Sequence, residues 1–247
     1  MVVRLVKAER QELPRSGCRK MLELIRPLME EHEIKLGRDQ LFALLREEDM
    51  LIRPRKKCPK TTYSRHGYAV QPNRFSELDL TAPGQAIVAD ITYIRVGERF
   101  KYLYLLTDAF SRMIVGWELS HSLSHGAAIS AIKKAVKVMV NPSGALHHSD
   151  RGCQYCCHDF LKELSNYGIV SSMTDADHCA QNALAERMNG ILKDEFYLDL
   201  TFSSLRQARQ AIHNAVELYN WRRPHLSLKY KTPAAVHFAW QQLQEAA

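Results

Sequence analysis

No apolar stretch in this 247-residue chain approaches the ~18 residues a membrane-crossing helix needs, so no segment is expected to span a bilayer. The first residues, Met1-Val2-Val3-Arg4-Leu5-Val6-Lys7, lack both a long apolar core and a small-residue cleavage site. They do not read as a secretory leader, and the cytoplasm is the expected compartment. Internal repeats and low-complexity tracts are also missing. Acidic residues are in short supply, 27 against 34 Lys and Arg, which leaves a net charge of +7. A basic balance favours an anionic partner, and nucleic acid is the commonest. Cysteine is sparse, at positions 18, 58, 153, 156, 157 and 179. Thiols in a cytosolic chain stay reduced. Cys153-x-x-Cys156 lies near His147, His148, His158, His178 and Cys179, but a structural zinc site needs two well-spaced ligand pairs and only one is clear. The cysteines therefore read as small packing residues.

What is present is ordinary for a globular protein: 46% hydrophobic and 25% charged residues, with length enough for one large domain or two smaller ones. Residues 1–60 form a first zone. Met21, Leu24, Ile25 and Leu28 follow helical spacing, as do Leu41, Leu44 and Leu45, with Asp39 placed to cap the second helix. Pro27 implies a kink or an earlier end to the first. Two helices around Gly37, followed by the basic run Arg53-Pro54-Arg55-Lys56-Lys57, fit a helix-turn-helix-like DNA-binding region, and fit a plain helical hairpin equally well. Residues 61–81 read as a basic linker, able to lie along DNA or to act as a simple tether.

Residues 82–200 carry alternating strand and helix signals. Three β-rich runs, Ala86 to Val96, Tyr102 to Thr107 and Met113 to Leu119, have short connections and imply an antiparallel meander. A helix over about 124–140, a short strand at 145–149, a helix at about 156–166, a strand at about 168–173 and a helix at about 180–196 follow. The order predicts an α/β fold with a mixed five-stranded sheet flanked by helices. Residues 201–247 predict a C-terminal helical extension, with Leu205, Ala208, Ile212, Ala215, Val216 and Tyr219 on one apolar face.

Three carboxylates stand out. Asp90 lies within the apolar strand on the face of Val88 and Thr92. A carboxylate there needs a cation, either a metal or a basic side chain at the strand's solvent end. Asp150 ends the short strand before Arg151-Gly152; taken alone, Asp-Arg-Gly reads as a turn. Glu186 shares a narrow helical stripe with Asn182, Asn189 and Lys193, opposite Leu184, Met188, Ile191 and Leu192. Such a stripe is either a solvated face or one side of a site. Together, three carboxylates on strand, strand and helix suit two-metal phosphoryl transfer, with hard oxygen ligands selecting Mg²⁺ or Mn²⁺. Asp108, Asp175 and Asp177 are acidic neighbours that read as turn or loop residues, and Glu195 as a surface partner of a Lys or Arg.

The segments Asp90-Ile91-Thr92-Tyr93-Ile94, His148-Ser149-Asp150-Arg151-Gly152-Cys153-Gln154-Tyr155, Asn182-Ala183-Leu184-Ala185-Glu186-Arg187, Leu192-Lys193-Asp194-Glu195 and Tyr219-Asn220-Trp221-Arg222-Arg223-Pro224-His225 resemble the OrfB-type transposases of the IS-three insertion-sequence family, within the retroviral-integrase (DDE) superfamily. The 35 residues between Asp150 and Glu186 and the lysine seven positions after the glutamate, Lys193, match that family's pattern. Ile87, Gln181 and Cys153 depart from it, standing where Trp, Asp and Ser are usual.

The resemblance implies a ribonuclease-H-like core with Asp90, Asp150 and Glu186 as catalytic residues and ligands of two Mg²⁺ ions, Mn²⁺ serving as a substitute. It also implies cleavage and strand transfer on the element's terminal inverted repeats and target DNA, assembly as a homo-oligomer on DNA, and an upstream-frame (OrfA-type) partner or fusion. Lys193, Asn182, Arg223, His225, Arg55, Lys56 and Lys57 are the expected DNA contacts. Two rivals remain: a catalytically silent DNA-binding inhibitor or decayed copy, and a ribonuclease-H-like nuclease that cuts without joining.

Overall fold

A computed structural model describes residues 1–53, 69–139, 141–175 and 179–245. Three helices open the chain: α1 (Val2–Glu12), α2 (Cys18–Glu31) and α3 (Arg38–Glu47). Val6, Met21, Ile25, Leu41 and Leu45 are buried in a small core of their own. Helix α1 is an addition to the two helices expected; Val2, Leu5 and Val6 already carry its apolar spacing. Helix α2 continues past Pro27 to Glu31, so the early end does not occur. Gly37, not Asp39, is the N-cap of α3: its N–H donates to Gln40 Oε1 at 2.7 Å, and Asp39 sits in the first turn, where the helix dipole favours it.

The sheet follows as β1 (Ala86–Val96), β2 (Arg99–Asp108), β3 (Ile114–Ser120), β4 (Leu146–Ser149), β5 (Val170–Met173) and β6 (Thr201–Phe202). The strand order is β3-β2-β1-β4-β5, with β1 to β3 antiparallel, β4 and β5 parallel to β1, and β6 beside β1. The sheet thus has six strands rather than five, the sixth being only two residues long. One edge of β1 is shared: β4 pairs Ala86 to Val88 and β6 pairs Arg95 and Val96. Between them that edge has no strand partner among the described residues.

Alternation along β1 sorts the layers. Ile87 and Ala89 face α4 (His125–Val136), α5 (Cys153–Cys156) and α6 (His158–Asn166), in a cluster with Tyr104, Ala131, Phe160 and Met173. Ile94 faces α7 (Ala183–Glu195) and α8 (Leu205–Trp221), in a cluster with Leu105, Met188, Ile212 and Tyr219. The segment after residue 200 is therefore a layer of the core as well as an extension. Ser204 Oγ accepts from Gln207 N at the start of α8, and Asn220 near its end bonds both the N–H and the C=O of Ile114 at 2.9 Å. Helix α9 (Pro233–Glu245) is pinned by His237, whose Nδ1 lies 3.0 Å from Ser111 Oγ.

Part of the expected linker is also docked. Backbone N–H groups of Arg74 and Phe75 donate to Ser172 Oγ on β5, and Phe75 stacks on His148 with ring centroids 4.8 Å apart. No helix among the described residues is long and apolar enough to cross a membrane.

Candidate active site

Asp90 and Asp150 meet because of strand register. Ala86 pairs with Leu146 and Val88 with His148. Continuing that offset by two residues sets Asp90 beside Asp150, on chains ~4.8 Å apart. Asp90 lies in the interval of β1 that has neither β4 nor β6 alongside. Asp150 follows the last residue of β4, and its Oδ1 accepts from Gly152 N at 3.0 Å, so the turn that Asp-Arg-Gly suggests does form. The turn and the site are one feature.

Helix α7 closes the interval. Asn182, just before it, donates Nδ2–H to the Ala89 carbonyl at 3.0 Å, a carbonyl in the stretch that the short β4 leaves unpaired. Two turns on, Asn189 donates Nδ2–H to Asp90 Oδ2 at 2.8 Å, while Ile91 N donates to Oδ1 at 2.9 Å. The amide that fixes Asp90 is thus Asn189, a member of the predicted stripe that was not among the expected site residues. Its signal was its position, three residues after Glu186. Asn182 is buried and serves the backbone of β1, which removes it from the expected DNA contacts. Glu186 lies between these two anchors and is half-buried.

Burial, then the Asp150 charge, raises the Asp90 carboxyl to about 7, with Glu186 adding to the rise and the Asn189 and Ile91 hydrogen bonds opposing it. The three carboxylates are close enough to repel. Among the described residues, no three His, Cys, Asp or Glu side chains form a ready-made metal cage. The donor set is oxygen-only and its self-repulsion is what a divalent cation relieves. The Oδ1 atoms of Asn182 and Asn189 are buried without a hydrogen-bond donor among the described residues. Waters on a hydrated Mg²⁺ are suitable donors for such atoms. The residues fit the metal that the sequence implies.

Other expected residues fall elsewhere. Arg55, Lys56 and Lys57 lie outside the described residues, as does Asp177. Lys193 is half-buried in the last turn of α7. Arg223 and His225 turn inward and are corrected as DNA contacts. Arg223 makes a bidentate pair with Glu195, at 2.8 Å from Nε and 2.7 Å from Nη2, and its side chain is 5% exposed. His225 Nε2 lies 2.9 Å from Tyr219 Oη; burial, then Arg223 and Lys20, push its pKa down to about 3. Glu195 is correspondingly an interior partner, not a surface one. Asp108 is a buried turn residue, accepting from Ser111 and from Gly84 N. Cys18 and Cys156 are buried as expected of packing thiols, whereas Cys153 is exposed.

Known proteins share this sequence pattern and this fold. Two family models, both described as integrase core domain, match residues 81–179 and 167–233. The chain is 32% identical over 215 residues to the insertion element IS600 uncharacterized 31 kDa protein of Shigella sonnei, covering 86% of this chain and 79% of that one. It is 31% identical over 184 residues to transposase InsF for insertion sequence IS3A of Escherichia coli (strain K12), covering 73% and 64% respectively. Among solved structures, the HTLV-2 integrase catalytic core domain in complex with magnesium (trimeric form) is similar with a TM-score of 0.50 at 22% identity, over 63% of this chain and 97% of that one. The ribonuclease-H-like sheet expected from the sequence is the fold observed.

Proposed function

The chain belongs to the integrase-core transposases of the IS3-type insertion sequences, and from that premise we propose that it cuts and joins DNA phosphodiesters using two divalent cations held by Asp90, Asp150 and Glu186. The observation that carries the reading is the convergence of β1, β4 and α7: two carboxylates in register, and a third between the two asparagines that fasten α7 to β1. Magnesium is the natural ion for an oxygen donor set, and it is the metal bound in the HTLV-2 integrase core.

Asp90, Asp150 and Glu186 would hold the ions, which when bound would supply activation of the attacking water or 3′-hydroxyl and offset of charge on the leaving oxygen. The protein's part is positional. Asn189 and the Ile91 N–H hold each Asp90 oxygen from one side, leaving the other lone pairs for a ligand. Asp150 is held by the Gly152 N–H. Glu186 completes the set from a helix that cannot slide without breaking both asparagine bonds. Lys193, two turns along the stripe, meets a phosphate of the bound strand. The substrates on this reading are the element's terminal repeats and target DNA, engaged by an oligomer.

The test is Glu186→Gln in a cleavage and joining assay on terminal-repeat DNA with Mg²⁺ or Mn²⁺. Cleavage and joining are lost while DNA binding survives; full joining by this variant rules the proposal out. Binding without any cleavage by the parent protein marks a silent binder, and release of ends that never join marks a simple nuclease.

A further inference from the structure

The face of α7 that points away from Glu186 is also built for an anion. At ~100° per residue, Leu184, Arg187, Met188 and Glu195 lie on the side opposite Asn182, Glu186, Asn189 and Lys193. They line a cavity of about 570 Å³ between α7, the first turn of α2, Arg112 and the segment after α8. Its walls hold Arg19, Lys20, Arg112, Arg187 and Arg223 against the single carboxylate Glu195 among the described residues. Lys20 and Arg223 are both bound to Glu195. Among the described residues, the side chains of Arg112 and Arg187 make no salt bridge or side-chain hydrogen bond, although the Asp108 charge favours the Arg112 cation. No side chain caps the first turn of α2, so its N–H groups add to the positive field.

A second cavity of about 390 Å³ lies next to the first, sharing Arg112 and Ser227 in its lining. Its lining adds Lys229 and Lys231 and, among the described residues, contains no acidic side chain. Both lysines are exposed. The backbone here is held in an uncommon shape: Arg112, Lys229 and Tyr230 have φ of 65°, 53° and 63°. Left-handed conformation in three non-glycine residues around one groove costs free energy, and such strain concentrates where a ligand is gripped. Tyr219 Oη helps to impose it by donating to the Arg112 carbonyl at 3.0 Å.

We infer that the two neighbouring cavities form a track for a phosphodiester backbone, in which Arg187, Arg112, Lys229 and Lys231 contact successive phosphates of DNA on the side of α7 opposite the carboxylates. This rests on the DNA-processing reading above and extends it. Cations that outnumber the one lining carboxylate among the described residues, Glu195, which Lys20 and Arg223 already occupy, favour phosphate oxygens, and contacts to phosphate contribute affinity without sequence preference. A helix gripped by DNA on one side and carrying Glu186 on the other links strand placement to the catalytic stripe.

The same chemistry would serve a small free anion such as pyrophosphate, and the test separates the two. The full chain and its Lys229→Gln/Lys231→Gln variant are titrated with a fluorescently labelled duplex by anisotropy over a range of salt. Each lost phosphate contact makes the slope of log K against log salt shallower by about 0.9, so the double variant is expected to lose about 2 units of slope. Between about 50 and 200 mM salt its affinity then falls about tenfold less than that of the parent. Arg187→Gln should remove about 1 unit more. Both lysines and Arg187 are exposed, so unchanged thermal midpoints verify the fold. Pyrophosphate at constant ionic strength should not displace the duplex. A slope equal to the parent's in all variants overturns the track, and pyrophosphate displacement with equal slopes reassigns the cavities to a small anion. Either result leaves Mg²⁺-dependent joining by the parent chain intact, whereas absence of joining and binding in the parent strikes at the proposed function instead.

Discussion

Replacing Glu195 by glutamine should weaken the fold more than any other single charge removal among the described residues. Lys20 Nζ lies 2.6 and 2.7 Å from its two oxygens, and Arg223 grips both through Nε and Nη2 at 2.8 and 2.7 Å. The side chains of Lys20 and Glu195 are 16% exposed and that of Arg223 5%, so water does little screening. The three come from α2, α7 and the segment after α8. Burial raises the Glu195 carboxyl, and the two cations more than offset it, leaving it below its ordinary value. Lys20 fares worse: burial first, then Arg223, outweigh the one carboxylate it shares, and its pKa is lowered.

The Glu195→Gln substitution leaves two buried cations without a counter-charge. Losing one partner of a buried ion pair costs about 3–5 kcal/mol, and the retained amide oxygen favours the lower end. At about 2–4 °C per kcal/mol for a chain of this size, a loss of about 3 kcal/mol lowers the thermal midpoint by roughly 6–12 °C. Unfolding followed by circular dichroism at about pH 7 reads this directly. The deficit should shrink as pH falls through the folded pKa of Glu195, because a depressed carboxyl stabilises only while ionised. A midpoint within about 2 °C of the parent refutes the argument. Simultaneous Lys20→Met, Glu195→Leu and Arg223→Met should be neutral or stabilising, since desolvation is then removed along with attraction.

Two further outcomes follow from packing and titration. Gly116→Ala places a methyl 2.5 Å from the Ala131 carbonyl on α4, against backbone that cannot swing aside. A loss of about 1–3 kcal/mol in urea, with unchanged slope, is expected; no loss disproves the close approach of β3 and α4. The Asp90 carboxyl stands at about 7 against an ordinary 3.8, so in metal-free protein its stability contribution is complete below pH 3.8 and falls as pH rises towards 7. The difference, about 4 kcal/mol, should vanish in Asp90→Asn, and Mg²⁺ at about pH 8 should restore it to the parent. Calorimetry with and without chelator reads both, and a metal-free parent no less stable at about pH 8 than at about pH 4, relative to the variant, contradicts the assignment.

Most of the core was legible because its signals are local. Period-two apolar runs marked β1 to β3, and the Ser149-Asp150-Arg151-Gly152 and Asn182 to Glu186 segments marked the rest of the site. What stayed hidden depends on partners distant in sequence. Asn182 and Asn189 look alike on a helical wheel, and only the missing β4 neighbour of Ala89 decides that one serves backbone and the other Asp90. Arg223 and His225 follow an exposed Trp221 in a cationic run, so they read as a surface patch; Glu195, 28 positions earlier in the chain, draws the arginine inside. Helix α1 is faint in the sequence because its apolar positions are few and they pack in one cluster with residues of α2 and α3.

The pairing of β1 with β4 also governs how such a chain can change over generations. Sixty positions separate each residue of β1 from its partner on β4, yet hydrogen bonds, not that count, hold Asp90 beside Asp150. Loops between them can lengthen or shorten while the ladder keeps its step. Inserting or deleting one residue within Leu146 to Ser149 instead turns Asp150 to the far face of the sheet, where α4 and α6 lie. Drift in length is therefore tolerated in the loops of the interval and forbidden within Leu146 to Ser149.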